Sequence, residues 1–74
     1  MPEYIAFYPW ADAALILTAQ PSKFPRRTDK YQAAADARLY WHREGEHLIV
    51  WRIDDDGTVT RCESKVRRVV EVTP

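Results

Sequence analysis

The stretch from Thr28 to Thr60 constrains the fold of this chain most, because signals for a helix start, a helix stop, a buried strand and a tight turn follow one another within it. Asp29 offers an N-cap oxygen, and Gln32, three residues later, completes a capping-box pattern. Alanine-rich sequence then runs to Glu44, and Gly45 is typical of the residue that follows a helix end. The pattern predicts a helix of about four turns.

This predicted helix has two distinguishable faces when its residues are projected at about 100° per residue. The more apolar face, which we expect to lie on a sheet, consists of Ala33, Ala34, Ala37, Tyr40 and Trp41. A second, weaker stripe consists of Tyr31, Ala35, Arg38, Leu39 and His42. Because the first face is used for packing, the second stripe is a candidate docking surface for a partner.

The segment from His47 to Ile53 carries the strongest strand signal in the chain. It is apolar on both faces at its centre, which predicts a central position in the sheet. Three aspartates and Gly57 follow, and glycine supplies the positive φ that a tight turn needs. Residues 58–62 are therefore predicted to return antiparallel as a β-hairpin.

The N-terminal part of the chain is less uniform in its signals. Tyr4 to Tyr8 is rich in aromatic and β-branched residues and ends at Pro9, which predicts a first strand. Ala13 to Thr18 favours a second strand, joined to the first by a hairpin through residues 10–12. The alternative is a two-turn helix with Asp12 in its first turn, where an acidic side chain is favourable.

The remaining segments complete the predicted order. Pro21 and Pro25 interrupt regular structure, so residues 20–27 are expected to form a loop. Valines recur between Val66 and Val72, which predicts a last strand after a kink near residues 64–65. The expected architecture is one α+β domain over residues 1–74, ordered β-β-α-β-β-β, with a single helix packed on a mainly antiparallel sheet.

Composition excludes several classes of protein. With 74 residues, an unaided core is thin, and the lone Cys62 cannot form an internal disulfide. A lone cysteine favours a reducing compartment, so we expect a cytoplasmic protein stabilised by its nine aromatic side chains. Eleven basic and eleven acidic residues cancel. The longest apolar run, 13–17, is too short to cross a bilayer, and we expect no membrane partner.

No set of residues predicts a catalytic or metal centre. His42, His47 and Cys62 are one ligand short of a structural zinc site. The aspartates before Gly57 do not match a calcium loop, because Arg52 occupies a position that needs an oxygen ligand. Cys62 also lacks a neighbour that would stabilise a thiolate. We therefore expect no enzymatic activity and no cofactor.

Large rings and cations in the proline-containing loops are the candidate binding residues. One interpretation of Trp10 and Phe24 is that they cap the two ends of the core. The other is that one of them is an exposed anchor for a partner, since aromatic and arginine side chains concentrate binding energy. The predicted binding set is Trp10, Phe24, Arg26, Arg27, Lys30, Tyr31 and Arg38.

These features favour a small non-catalytic binding protein whose partner is another protein. A stoichiometric inhibitor or adaptor, of the kind encoded by phages and mobile elements, fits this description. The alternative is a nucleic-acid-binding module that uses the basic loop 23–30 and the basic segment 65–68 of the last strand. Homodimer formation through an open edge strand is a further expectation.

Overall fold

The computed structural model describes residues 1–44 and 47–62, and the side chains of residues 41–44 are outside that description. Two helices and three strands form in this part of the chain. In chain order they are β1 (Glu3–Phe7), α1 (Ala13–Leu17), α2 (Lys30–Glu44), β2 (Ile49–Ile53) and β3 (Val59–Arg61). The strands make one antiparallel sheet in the order β1-β2-β3. The α+β class is therefore confirmed.

The central position of β2 is also confirmed. β2 pairs along its full length with β1, with Ile5 opposite Trp51, and on its other side with β3, with Arg61 opposite Trp51. Directly opposed residues of an antiparallel pair share a face of the sheet. Ile5 and Trp51 thus lie on one face and Ala6 and Val50 on the other, and all four side chains are buried.

The second strand predicted over residues 13–18 is wrong. The alternative is confirmed in that the segment is helical, but the helix is shorter than two turns and Asp12 is its N-cap rather than part of its first turn. Ala13–Leu17 is α-helical, and the Asp12 carboxylate caps it by accepting a hydrogen bond from the Leu15 amide at 2.9 Å. The five successive apolar residues lack the alternation of a half-buried strand, and the Asp12 cap favours the helix. The observed order over the described residues is β-α-α-β-β, with two helices in place of the single helix expected.

Helix α2 begins where the capping pattern predicts. The Asp29 carboxylate accepts a hydrogen bond from the Tyr31 amide at 2.9 Å, and the helix runs for 15 residues. Ala33 and Ala34 are buried in one cluster with Val50, so α2 lies on the Val50 face of the sheet. Ala37 is buried as well, as predicted. Small side chains on this face let the helix approach the strands closely.

The β2–β3 hairpin is confirmed at its turn. The Gly57 amide donates to the Asp54 carbonyl at 3.0 Å, and the Asp54 amide donates to the Thr58 carbonyl at 2.8 Å. Gly57 adopts φ +90°, in the left-handed region that glycine enters without steric cost. The last strand predicted over residues 66–72, the kink near 64–65 and the helix stop at Gly45 lie outside the described residues.

Candidate protein-interaction surface

Phe24 is part of the core, which corrects its prediction as an exposed anchor. Its amide donates to the Gln20 carbonyl at 2.8 Å, so the proline-flanked loop turns back on itself and directs the ring inward. The side chain is 8% exposed. Its ring centroid lies 4.7 Å from that of Phe7 and 5.6 Å from those of Tyr8 and Tyr40. The core-capping interpretation is the one that describes Phe24.

Arg27 is committed to contacts within the chain. Its Nε lies 2.8 Å from Asp36 Oδ2 and its Nη2 lies 3.0 Å from Asp36 Oδ1, which is a bidentate pair between the loop and α2. Hydrogen bonding to Asp36 and its negative charge raise the pKa of Arg27. The Arg27 backbone also forms an isolated antiparallel bridge with Tyr4. This arginine therefore holds the loop in place.

Arg26 likewise contacts its own chain. Its Nη2 donates to the Leu17 carbonyl at 3.1 Å, and its Nη1 lies 3.6 Å from the Glu3 carboxylate. The lysines of the same region contact aromatic rings. Lys23 Nζ is 5.6 Å from the centre of the Phe24 ring, and Lys30 Nζ is 5.9 Å from that of Tyr31. The cations of the predicted basic loop thus each contact a different group of the same chain.

Trp10 is the large aromatic residue that the structure leaves exposed next to the core. Its side chain is 65% exposed. The indole stacks on the Tyr8 ring with centroids 4.9 Å apart and an angle of 13° between the planes. Tyr8 is in turn packed edge-on against Phe7 and Phe24. Trp10 is therefore accessible and also supported from behind by the core.

Helix α1, which follows Trp10 in the chain, adds two exposed apolar side chains. Leu15 and Leu17 are both exposed, while Ile16 between them is fully buried. Successive helical residues are about 100° apart, so the two exposed leucines flank the buried Ile16 on either side, and Trp10 lies three residues before the helix begins. We call Trp10, Leu15 and Leu17 the α1 surface. Sequence reasoning missed the two leucines because it assigned them to a strand, although the Asp12 cap was a usable signal for a helix.

The exposed stripe of α2 is the second candidate surface. Tyr31 and Leu39 are about half exposed, and Ala35 and Arg38 are exposed as well. We call Tyr31, Ala35, Arg38 and Leu39 the α2 stripe. Of the predicted binding set, Trp10, Arg26, Tyr31 and Arg38 are exposed and Arg27 and Lys30 are partly exposed, whereas Phe24 is buried in the core.

The three aspartates before Gly57 make contacts within the chain. Asp54 pairs with Arg52 at 3.1 Å and Asp55 with the N-terminal ammonium at 2.8 Å. Asp56 accepts a hydrogen bond from the Thr58 amide, which lowers the pKa of Asp56. Among the described side chains, those of residues 1–40 and 47–62, no three His, Cys, Asp or Glu residues converge on a position suited to a metal ion.

Cys62 does not have the surroundings of an activated thiol. Burial raises the pKa of Cys62, and the positive charges of Arg52 and Lys30 oppose this shift only in part. A raised pKa keeps the thiol protonated and less nucleophilic near neutral pH. This environment suits a packing role for Cys62.

The helices of the described residues are too short or too polar to span a membrane, and the chain has no detected relative among the known proteins compared with it. In the part of the chain that the structure describes, neither helix has the length and apolar character needed to cross a bilayer. The chain matches no family model, no curated protein and no solved structure with which it was compared. The fold and surfaces define a small α+β domain with an exposed aromatic and aliphatic surface at α1.

Proposed function

We propose that this chain is a non-catalytic binding protein that acts by contact with another protein, and that the α1 surface makes the central contact. A stoichiometric inhibitor or adaptor is the form of function that such a domain supports best. The observation that carries the proposal is the accessible but well-supported indole of Trp10. The α2 stripe is the second contact region of the proposal.

The stacking of Trp10 on Tyr8 supports a role in binding because it reduces the cost of ordering the side chain. A flexible exposed indole would lose conformational freedom when a partner covered it. Trp10 is already packed on one side by Tyr8 at 4.9 Å. Tryptophan is also among the residues that most often dominate the free energy of protein–protein association.

The α1 surface is of a size that suits a binding anchor. One largely exposed indole and two exposed leucine side chains present roughly 300 Å² of apolar area, taking about 200 Å² for a large ring. A standard protein–protein interface buries about 800 Å² on each partner. The α1 surface would therefore form the apolar centre of an interface whose rim includes other residues.

Comparative affinity capture tests the proposal. Wild-type protein and the Trp10→Ala variant are used in parallel as baits in a lysate of the source cells, and a protein retained only by the wild type is purified. Calorimetric titration of that protein should show binding at least about 30-fold weaker for Trp10→Ala. Tyr31→Ala is the comparison variant, because it removes an exposed ring from the second contact region, the α2 stripe.

The outcomes separate the two surfaces. Loss with Trp10→Ala alone supports the α1 surface as the centre, and loss with Tyr31→Ala alone moves the centre to the α2 stripe. If both variants retain every partner at wild-type affinity, neither surface is the binding site and the proposal is wrong. Unfolding curves of both variants verify that the folded state is preserved.

Nucleic-acid binding stays a prediction of the sequence, and the structure gives it little support. Arg26 and Arg27 are engaged with Leu17, Glu3 and Asp36, and the basic segment 65–68 lies outside the described residues. Titration of labelled DNA and RNA at two salt concentrations tests it separately. Affinity that falls steeply with salt would indicate phosphate contacts.

A further inference from the structure

The outer edge of β1 is closed by a segment that is not a strand. We call residues 20–29 the strap. The Tyr4 amide donates to the Arg27 carbonyl at 2.7 Å, and the Arg27 amide donates to the Tyr4 carbonyl at 2.7 Å. Both outward backbone groups of Tyr4 are therefore occupied by the strap. An uncovered edge strand would present these groups to other chains.

Side-chain contacts hold the strap on both helices. The bidentate Arg27–Asp36 pair ties it to α2, at distances of 2.8 and 3.0 Å. The Asp36 side chain is only 13% exposed, so its position is set by its surroundings. The Arg26 hydrogen bond to the Leu17 carbonyl, at 3.1 Å, ties the strap to the end of α1. The Phe24 ring also anchors the strap in the core. Closure of the edge at Tyr4, beyond this anchor, thus depends on the backbone bridge and these polar contacts.

We propose that β1 is a strand-pairing edge which the strap keeps closed, and that its partner after release of the strap is β1 of a second copy of this chain. Along an antiparallel strand, outward backbone groups recur at alternate residues. Tyr4 bonds outward, so Ala6 also presents its amide and carbonyl to this edge, whereas Ile5 between them pairs inward with Trp51.

The sequence of β1 is self-complementary in one antiparallel register. A twofold axis beside Ile5 places each Tyr4 opposite Ala6 of the second copy. Tyr4 and Ala6 of both copies, which are the residues whose backbone groups point outward, are then all hydrogen-bonded across the contact. Such a contact uses the same surface on both copies, as a twofold-symmetric interface requires. The register follows from positions that the structure fixes by the Tyr4–Arg27 bridge.

The charges of β1 favour this register as well. Each Glu3 lies opposite Phe7 of the second copy, and the two Glu3 side chains are separated by four residues along the strands. This corresponds to about 14 Å. Charges that far apart are largely screened at physiological salt, where the Debye length is about 8 Å. A second copy therefore meets no like-charge repulsion along β1.

Removal of the Arg27–Asp36 pair tests the proposal. Asp36→Ala is the first variant, because alanine favours the helix in which Asp36 lies. Arg27→Gln is the second, and Arg61→Gln, on the opposite edge of the sheet, is the control with the same change of charge. Sedimentation over a range of concentrations should show an association constant raised about tenfold or more in the first two variants only.

Hydrogen exchange identifies the contact. In the associated Asp36→Ala protein, the amides of Tyr4 and Ala6 should become protected as concentration rises. A double variant, Arg27→Asp with Asp36→Arg, restores the pair with opposite polarity and should return to the wild-type association constant.

Three results would overturn the proposal. The first is an Asp36→Ala protein that stays monomeric: a Tyr4 amide that still exchanges slowly shows that the pair does not hold the strap, and one that exchanges rapidly shows that the released edge does not pair. The second is association that leaves the Ala6 amide unprotected. The third is association of Arg61→Gln to the same extent as Arg27→Gln. If one variant fails to give a cooperative unfolding transition, the other variant and the double variant supply the same measurements.

Discussion

Replacement of Ile16 by alanine should lower the free energy of unfolding by about 3 kcal/mol, within the range of about 2–5 kcal/mol for such changes at fully buried sites. Ile16 is 0% exposed and is the buried residue of α1. It belongs to the same core cluster as Ile5, Phe7 and Trp51. Truncation removes most of the apolar packing that fixes α1 on the rest of the domain.

The loss is large relative to the stability that a chain of this size reaches. A single core of under about 80 residues contributes roughly 3–5 kcal/mol net. Ile16→Ala therefore brings the domain close to the limit of folding, and Ile16→Val, at about 1 kcal/mol, keeps the transition measurable. Urea unfolding at constant temperature, monitored by tryptophan fluorescence and circular dichroism, gives both values.

Leu17→Ala is the matched control for Ile16. It removes an aliphatic side chain of the same size from the next position of the same helix, but Leu17 is exposed. We expect its effect to stay within about 0.5 kcal/mol. Equal effects at the two positions, or a cost below about 1 kcal/mol for Ile16→Ala, would refute the packing of α1 through Ile16.

Four further predictions concern single positions. Asp12→Ala should cost about 1 kcal/mol in urea unfolding, because the Leu15 amide loses its cap. Gly57→Ala should also cost about 1 kcal/mol in the same assay, and from backbone strain alone, since the new Cβ meets no atom within 4 Å. Ala37→Glu should cost more than about 4 kcal/mol because it buries a carboxylate against the sheet, whereas Ala35→Glu on the exposed side should be nearly neutral in thermal unfolding. The thiol of Cys62, whose pKa is raised by burial, should be alkylated at pH 8 about tenfold more slowly in the folded protein than in urea.

The elements predicted correctly from the sequence are those with local signals that agree with one another. Asp29 caps α2 where the capping pattern places it, and Gly57 closes the hairpin where a positive φ is needed. The dense apolar character of β2 indicates a central strand because a central strand has two buried faces. In each case the deciding interaction lies within a few residues of the signal.

Helix α1 shows where this local reasoning failed. Its five residues are all apolar and so show no periodicity, and the pattern alone fits a buried strand and a short helix about equally well. The deciding contacts are the Asp12 cap and the burial of Ile16 alone among the leucines and isoleucine of the segment. Only the first of these is visible in the sequence.

The candidate site was predictable only in part for a related reason. Charge and proline content mark residues 23–27 as a surface loop, but no local pattern shows that Arg27 pairs with Asp36 in the following helix. An arginine in such a loop is reasonably interpreted as a surface residue that binds a partner, because its ion pair with Asp36 cannot be seen in the sequence. The sequence did not show whether Trp10 is exposed or buried. In the structure it lies in a turn in which the Ala11 amide donates to the Tyr8 carbonyl, and its side chain is exposed.

Phe24 acquires a different role in this fold from the one that its loop position suggests. Its ring packs on Tyr8, and Tyr8 carries the stacked indole of Trp10, so the three rings connect the core to the α1 surface. The same Phe24 ring lies against Tyr40 of α2, whose hydroxyl donates to the Lys23 carbonyl. Because aromatic packing of this kind is directional, the core sets the orientation of the exposed Trp10 ring. The proposed binding through Trp10 and the folding of the strap around Phe24 would therefore share one continuous set of ring contacts.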